Sequence, residues 1–319
     1  MGDSEQVQVR LTGVPAAAAA GIDRRALTAA AVTVVLWASA FVAIRSGGRY
    51  FDAGALALGR LLAASLVLGA VWLARGLGRG GGVKASGAWP PRAAWPGIAC
   101  SGLLWFGVYM VALNWGEQRV DAGTASMIVN IGPVLIAVLS GWLLHEGFPR
   151  RLVAGLAVSF AGAVVVGLSE SGGGRSPLLG VGACLLAAVS YAVAVVSQKP
   201  ALRHASALQV TTLGCFIGTL ATLPFAGQLV SQVAAAPLSA TLTLVYLGVF
   251  PTALAFTTWA YALSRTTAGK MGATTYLVPA LVLVMSWTIL GETPQALAFI
   301  GGALCLAGVA ISRRRRAGG

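Results

Sequence analysis

Residues 130–147 read NIGPVLIAVLSGWLLHEG, and residues 276–293 read YLVPALVLVMSWTILGET. Both stretches place a proline inside a continuous apolar run and a glutamate at its end. A proline in the interior of a helix removes a hydrogen bond and costs roughly 3 kcal/mol in water. The two stretches match at an offset of 146 residues, which pairs Pro133 with Pro279. The interrupted apolar run is therefore a repeated feature of the chain.

The composition around these stretches is that of a membrane protein. The chain has 319 residues, of which 57% are hydrophobic and 10% are charged, and its mean hydropathy is +0.82. Ordinary soluble domains carry about 25% charged residues. Although the net charge is +13, the basic residues lie between and after apolar runs. This placement indicates membrane topology and no nucleic-acid partner.

The residues that carry metal or catalytic chemistry are few and scattered. The four cysteines fall within apolar segments, and the two histidines, His145 and His204, lie far apart in sequence. No zinc-type spacing is present, and no ATP-binding glycine-rich motif occurs. We therefore expect no metal, no cofactor and no catalytic residues, and we predict that the chain is not an enzyme.

Ten apolar runs approach the length of about 20 residues that crosses a bilayer as a helix. They are residues 27–46, 54–74, 94–115, 122–144, 152–169, 177–197, 207–229, 240–262, 270–290 and 295–312. A β-barrel is excluded because these runs are continuously apolar and do not alternate. The sequence predicts an all-α integral membrane protein with ten transmembrane helices.

The distribution of basic residues predicts the orientation. With the N-terminus in the cytoplasm, the cytoplasmic loops and tails hold 17 Lys and Arg residues and the outer loops hold four. Positive residues favour the cytoplasmic side. We expect both termini in the cytoplasm of a multi-pass protein of the cell (plasma or inner) membrane. The remaining basic residue, Arg60, lies well inside the second run.

The match between the two halves extends beyond the proline stretches. Arg119 pairs with Arg265 at the offset of 146, and Trp37 pairs with Tyr191 at an offset of 154. Because five spans are an odd number, two five-helix repeats cross the membrane in opposite senses, which is typical of secondary transporters. The predicted divisions are a disordered cytoplasmic tail at 1–25, a first repeat at 26–170, a second repeat at 171–312 and a basic cytoplasmic tail at 313–319.

Several short motifs accompany these repeats. The first span carries a W-x-S-x-F pattern at Trp37, Ser39 and Phe41, the second carries Arg60, and both repeats hold the proline followed by H-E or G-E. With these motifs, residues 27–312 resemble the EamA family of the drug/metabolite transporter (DMT) superfamily. The resemblance implies a transporter built from two five-helix halves. Substrates in that family range from amino acids to nucleotide-like metabolites, sugars and amphiphiles. Span 7 departs from the pattern in lacking the arginine, and span 6 in lacking the tryptophan.

The two prolines are candidate hinges near the middle of spans 4 and 9. Pro133 and Pro279 each free a carbonyl one turn earlier, which is tolerable only against protein or in a wet cavity. A static kink that improves packing is the alternative. Asn130 and Tyr276 lie three residues before the prolines and share their helix face. They are the first candidates for hydrogen bonds to a substrate, with a direct interhelical bond as the alternative.

The other substrate-binding candidates are aromatic or polar residues within the spans. They are Trp37, Ser39, Phe41, Tyr191, Tyr109 and Trp259. Trp37 lies too deep for an interfacial belt, but it could also fill a gap in the core. Arg60 could attract an anionic substrate, pair with a neighbour or extend to the outer headgroups. These candidates favour a pocket with aromatic walls and a few polar groups.

The acidic residues give no indication of a proton relay. Glu146 and Glu292 end their spans at the interface, where a structural role is expected, and no Asp or Glu is predicted deep in a span. A facilitator, an exchanger and a proton antiporter all remain open. Small residues at Gly155-x3-Ser159 and Gly301-x3-Cys305 could pack within the chain or form the seam of a homodimer.

The sequence therefore predicts a secondary transporter that moves a small metabolite by alternating access. We expect an amino-acid-like or amphiphilic substrate, export from the cell, and the lipid bilayer as the surrounding partner. One alternative is a membrane-embedded transferase-type enzyme, which needs a clustered acid, base or nucleophile. The other is a non-transporting scaffold, which would have a packed interior without a cavity.

Overall fold

The structure, a computed structural model, describes residues 23–77, 89–144, 150–169, 175–275, 277–291 and 296–313. Regular secondary structure within these ranges is entirely helical. The first five helical segments are α1 (Arg24–Gly47), α2 (Ala53–Leu77), α3 (Arg92–Glu117), α4 (Ala122–Leu143) and α5 (Arg150–Ser169). They are followed by α6 (Arg175–Ala201), α7 (Ala207–Ala235), α8 (Leu238–Ser264), α9 (Ala268–Thr274 and Leu277–Leu290) and α10 (Ala296–Arg313).

Seven of these segments are long and apolar enough to cross a membrane, within the part of the chain that the structure describes. They are α1 to α4 and α6 to α8, with 22 to 29 residues and mean hydropathy between 1.5 and 2.3. The predicted all-helical, multi-pass membrane protein is thereby confirmed. The segments α5, α9 and α10 coincide in sequence with the other three predicted runs.

Polar residues cap the helices where the chain enters them. The Asp23 carboxylate accepts hydrogen bonds from the backbone N–H groups of Arg25 and Ala26 at the start of α1. Ser206 and Gln209 form a reciprocal capping box at the start of α7. These side chains satisfy first-turn donors that have no partner inside the helix. The predicted disordered tail at residues 1–25 otherwise lies outside the described residues, as do residues 314–319.

The proline in α4 begins a second half-helix. The first half ends at Val129, and the second begins at Gly132 with Pro133 in its first turn. A first-turn proline lacks only an N–H that would have no helical partner. The penalty for a proline inside a helix is therefore largely avoided. In α9, Pro279 likewise lies in the first turn of the helix Leu277–Met285.

Two wide, π-helical stretches interrupt α3 and α8. They span Gly102–Tyr109 and Gly248–Leu254. In the second stretch Pro251 removes a regular helical donor, and the hydroxyl of Thr252 donates to the carbonyl oxygen of Leu247, 2.7 Å away. Such bulges are frequent at functional sites because they redirect the side chains around them.

The helices pack along each other in pairs. Helix α1 packs along α8, α6 packs along α3, and α2 packs along α7. The helices that carry the two small-residue patterns, α5 and α10, pack along each other within one chain. The arrangement leaves a space between α1 to α4 on one side and α6, α8 and α9 on the other.

Candidate functional site

A cavity lies at the centre of the helical bundle. The cavity is narrow: about 40 Å³ admits the centre of a water-sized sphere, and the figure of about 550 Å³ for all space between its atoms includes open solvent at the mouth. The first half of the chain contributes Trp37 and Phe41 of α1, Arg60 of α2, Trp105 and Tyr109 of α3, and Asn130 of α4. The second half contributes Tyr191 of α6, Phe256 of α8 and Thr275, which directly follows the first part of α9. A cavity walled by apolar rings with a few polar groups is the usual form of a small-molecule site.

Trp37 and the four aromatic residues around it form a cluster, which we call the aromatic cluster. The ring centroid of Trp37 lies 4.9 Å from that of Trp259, 5.2 Å from that of Phe256, 5.8 Å from that of Trp105 and 6.3 Å from that of Tyr191. Most of these pairs are edge-to-face or tilted, as ring quadrupoles favour. The aromatic cluster forms one wall of the cavity and is itself well packed.

The cavity extends from the aromatic cluster toward one end of the bundle. On α1 the lining runs from Trp37 to Ile44, and on α3 it runs from Trp105 to Leu113. Both helices then end, at Gly47 and Glu117. Trp259 is fully buried behind Trp37 and does not line the cavity. Large rings therefore fill the opposite side.

Arg60 lies inside the bundle with only 2% of its surface exposed. Its Nε and Nη2 atoms donate to the hydroxyl of Thr252, at 3.1 and 3.0 Å. Its Nη1 has no hydrogen-bond partner among the described residues, and no described carboxylate forms an ion pair with it. The guanidinium therefore points inward, which excludes the alternative that it extends to the outer headgroups.

Two further buried donors on the cavity wall have no acceptor in the described part of the chain. They are the amide nitrogen Nδ2 of Asn130 and the indole nitrogen Nε1 of Trp37. Leaving a buried donor unsatisfied costs about 1–3 kcal/mol. Three residues of the cavity wall thus carry buried donors that have no acceptor among the described residues.

The structure separates the remaining candidates. Phe41, Tyr191 and Tyr109 line the cavity with the residues named above. Ser39 lies on another face of α1, where its hydroxyl donates to the carbonyl of Leu36 and shares a 2.7 Å hydrogen bond with the hydroxyl of Tyr246. It therefore does not belong to the cavity wall.

Other predicted residues lie outside the described part of the chain. Tyr276, Glu146 and Glu292 belong to this group. Thr275 and Val278, which lie before and after position 276 in the sequence, both line the cavity. The proposed roles of all three therefore stay predictions, as do the hinge roles of the two prolines.

Sequence reasoning missed several residues of the site. Phe256 and Thr275 line the cavity, and Thr252 holds the guanidinium, although none of them belongs to a repeated motif. Glu117 is fully buried at the end of α3, in contrast to the expectation that acids stay at the solvated span ends. Its position after an Asn-Trp-Gly stretch gives no pattern from which this burial could be predicted.

A cavity between membrane-spanning helices is the arrangement in which secondary transporters hold their substrates. The profile of the EamA-like transporter family matches this chain over residues 24–168 and again over residues 178–314. The chain belongs to the EamA-like transporter family. This result confirms the resemblance drawn from the motifs and the prediction of a small-metabolite transporter.

Named relatives cover most of the chain. A protein of Streptantibioticus cattleyicolor named "Probable terminal-alkyne amino-acid exporter" is 38% identical over 92% of this chain and 95% of its own. The uncharacterized transporter YdfC of Bacillus subtilis is 33% identical over 86% of each chain. A Salmonella typhimurium protein named "Probable amino-acid metabolite efflux pump" is 24% identical over 65% of this chain and 71% of its own.

A solved crystal structure shares the fold. It superimposes with a TM-score of 0.61 at 20% sequence identity, and the match covers 91% of this chain and 96% of the other. At this identity the likeness concerns the fold alone.

Proposed function

We propose that the chain exports apolar, amino-acid-like metabolites by alternating access between two inverted five-helix repeats that together cross the membrane ten times. The observation that carries the proposal is the central cavity, to which both halves of the chain contribute aromatic and polar side chains. Inverted-repeat transporters hold their substrates between two such halves. The cavity also argues against the scaffold alternative, for which a fully packed interior was expected.

Paired hydrogen bonds support the two repeats. Arg45 at the end of α1 donates to the backbone carbonyl of Glu117 at the end of α3, at 2.7 Å. Lys199 at the end of α6 donates to the backbone carbonyl of Leu263 at the end of α8, at 2.6 Å. The donors are 154 residues apart and the acceptors 146 residues apart, which are the two offsets of the sequence repeat.

Three further correspondences follow the same offsets. The π-helical stretches begin at Gly102 and Gly248, 146 residues apart. The hydroxyls of Ser65 and Thr219, 154 residues apart, lie 3.0 Å from each other. Arg119 stacks on Trp115 and Arg265 stacks on Tyr261. Repeat-related positions that meet each other are expected at a two-fold axis between α2 and α7.

The proposed orientation places both termini in the cytoplasm, as the excess of Lys and Arg on that side favours. In this orientation the cavity extends outward, toward the ends of α1 and α3. The aromatic cluster and the Lys199 bonds to the carbonyls of Leu263 and Thr266 lie on the cytoplasmic side. In this orientation the cytoplasmic side is the better closed of the two, although the Arg45 bond also joins the outer ends of α1 and α3.

The substrate class is inferred from the relatives and from the cavity. Two relatives are named as an amino-acid exporter and an amino-acid metabolite efflux pump. The aromatic cluster suits the apolar side chain of such a molecule, since aromatic and aliphatic groups pack well against tilted rings.

Flux through the purified protein tests this proposal. The full chain is reconstituted in liposomes loaded with unlabelled substrate, and counterflow of radiolabelled L-phenylalanine, L-leucine and L-propargylglycine is measured. We expect saturable uptake of at least one compound and its loss in Asn130→Ala. Trp287→Phe, which alters a lipid-facing residue with 64% exposure, is the matched control and should transport normally. Flux of wild-type protein at the level of empty liposomes for all three compounds, with correct folding, would contradict the proposal.

A further inference from the structure

Three buried donors without acceptors share one cavity, and together they point to the chemistry of its occupant. They are Nη1 of Arg60, Nδ2 of Asn130 and Nε1 of Trp37. We infer that the cavity recognises its substrate by a carboxylate, which accepts hydrogen bonds from these groups while the apolar part of the substrate packs against the aromatic cluster. This inference rests on the proposed function and narrows it to apolar carboxylates.

The charge of Arg60 is the first argument. A guanidinium stays protonated under all ordinary conditions and presents a planar fork of donors that matches a carboxylate. Thr252 is a neutral acceptor and occupies only the Nε and Nη2 sides of the fork. No carboxylate in the described part of the chain forms an ion pair with the guanidinium. A buried cation without a paired anion is strongly unfavourable, so a bound carboxylate supplies what the protein leaves out.

The kind of hydrogen bond is the second argument. All three unpartnered atoms are donors, and an indole N–H cannot act in any other way. A carboxylate offers about four lone-pair sites on two oxygens, whereas an amide or an amine brings donors that would face other donors. The geometry therefore favours an acid over the corresponding amide, even when the rest of the molecule is unchanged.

The surrounding wall is the third argument. The lining residues in the described part of the chain include no Asp or Glu to pair with an ammonium group. Ring faces of the aromatic cluster can accept a cation, but this interaction is weaker than a paired carboxylate at a buried site. The carboxylate is therefore required for recognition, and the amino group of an amino acid is tolerated.

Competition against counterflow tests the carboxylate directly. In liposomes containing the full chain, 3-phenylpropionate and L-phenylalaninamide compete with radiolabelled L-phenylalanine, or with L-propargylglycine if that probe gives the larger flux. We expect the acid, which lacks the amino group, to inhibit at concentrations similar to phenylalanine itself. The amide keeps the amino group and the ring, and it should inhibit at least about 10-fold more weakly than the acid.

Three substitutions separate the carboxylate role from a merely structural one. Arg60→Gln should raise the KM for the acid about 10-fold and leave inhibition by the amide unchanged, so the preference collapses. Arg60→Lys should keep part of the preference. Trp37→Phe keeps a ring and removes only the N–H donor, and it should raise the KM several-fold. Arg203→Gln, an exposed arginine away from the cavity, is the control for charge and should behave as wild type.

The outcomes are distinguishable. Equal inhibition by acid and amide in a wild-type protein that transports would overturn the carboxylate inference and leave the proposed function standing. If Arg60→Gln weakened inhibition by the acid and by the amide equally, the inference would also be overturned, because a structural role of Arg60 would affect both compounds. If wild type transports none of the probes, thermal stabilisation of the purified protein by 3-phenylpropionate against phenylalaninamide decides the matter. No preferential stabilisation by the acid would then contradict the inference.

Discussion

The two halves of the chain are alike at the ends of the helices and differ at the centre of the bundle. At the ends, Arg45 and Lys199 make the same bond to the carbonyl of the corresponding neighbour, Glu117 or Leu263. At the centre, the sequence match pairs Arg60 with Gly214, so only one half supplies a guanidinium. In the proposed two-repeat arrangement, the contacts at the helix ends are therefore alike, whereas the lining of the cavity differs between the halves.

This difference follows from what each region has to do in the proposed transport cycle. Two states that open to opposite sides need similar free energies, or one of them would hardly be populated. Matched bonds at the two ends provide that balance. A substrate, in contrast, binds in one orientation between unlike groups. The cavity therefore gains specificity from residues that do not obey the symmetry.

The largest effect is expected where the frame leaves no room for a methyl group. A Cβ added at Gly248 would lie 2.5 Å from the backbone oxygen of Arg60, and one at Gly102 would lie 2.9 Å from the Cβ of Ile217. We expect Gly248→Ala and Gly102→Ala each to destabilise the protein by about 1–3 kcal/mol, with the greater loss at Gly248 because its neighbour is backbone.

Thermal unfolding of the detergent-solubilised protein measures these losses. Gly182→Ala is the matched control, since a Cβ there meets nothing within 4 Å. In the interior of α6 it should be neutral or stabilise by about 0.5–1 kcal/mol. If Gly102→Ala behaved like the control while Gly248→Ala did not, the two π-helical stretches would not be equivalent parts of a frame.

A second prediction concerns the Arg45 and Lys199 bonds, which we expect to shift the populations of the two open states in opposite directions. Arg45→Ala removes a bond at the end toward which the cavity extends, and Lys199→Ala removes bonds at the opposite end. Each bond contributes about 1 kcal/mol, which corresponds to roughly a five-fold change in population. We therefore expect Arg45→Ala to favour the outward-open state and Lys199→Ala the inward-open state.

Accessibility of one cavity position measures this bias. Ser126→Cys, introduced after the native cysteines are replaced, lies on the cavity wall and can be modified by an impermeant maleimide added outside cells. Modification should be faster in Arg45→Ala and slower in Lys199→Ala than in the parent. A change in the same direction for both variants would contradict opposite roles for the two ends.

Much of the frame could be predicted from the sequence because the membrane imposes it. Apolar run length alone gives the first span at residues 27–46, and the helix is Arg24–Gly47. The break in α4 follows from Pro133, although the interruption between two half-helices was expected only as a kink. Such features depend on local chemistry and on hydrophobic thickness, both of which the chain carries in consecutive residues.

The cavity was less predictable, because its contacts join residues distant in sequence. The depth of Trp37, Asn130 and Arg60 in their spans made them candidates, and their place on the cavity wall agrees with that depth. Nothing in the sequence indicates that Thr252 binds Arg60 across 192 residues. Periodicity also could not show that Ser39 turns away from the cavity toward Tyr246. Whether the lining residues bind substrate stays a prediction.

A third prediction uses Ser39 to test the boundary of the cavity. Ser39→Ala removes the hydrogen bond to Tyr246 but leaves the cavity wall unchanged. We expect the KM for the transported amino acid to change less than about two-fold, with a loss of about 1 kcal/mol in stability. Phe41→Ala, two residues further along α1 on the cavity wall, should raise the KM clearly. Equal effects of the two substitutions would contradict the assigned faces of α1.

The smallest effect concerns an ion pair that joins the two halves and has no counterpart in the repeat. The Asp23 carboxylate lies 3.0 Å from Nη1 of Arg265, whereas its match in the repeat, residue 177, is a proline. The backbone N–H of Ala26 and, after it, the Arg265 guanidinium hold the pKa of Asp23 below its ordinary value. Because the folded pKa is depressed, the stabilisation is present above the ordinary pKa and is lost as the pH falls through the folded value. Asp23→Asn should therefore lower the Tm slightly at pH 7 and leave it unchanged near pH 2. A Tm difference that persists unchanged at low pH would show that the charge of Asp23 is not its cause. The helix ends of the two halves would then differ less in their electrostatic contribution to stability than this ion pair indicates.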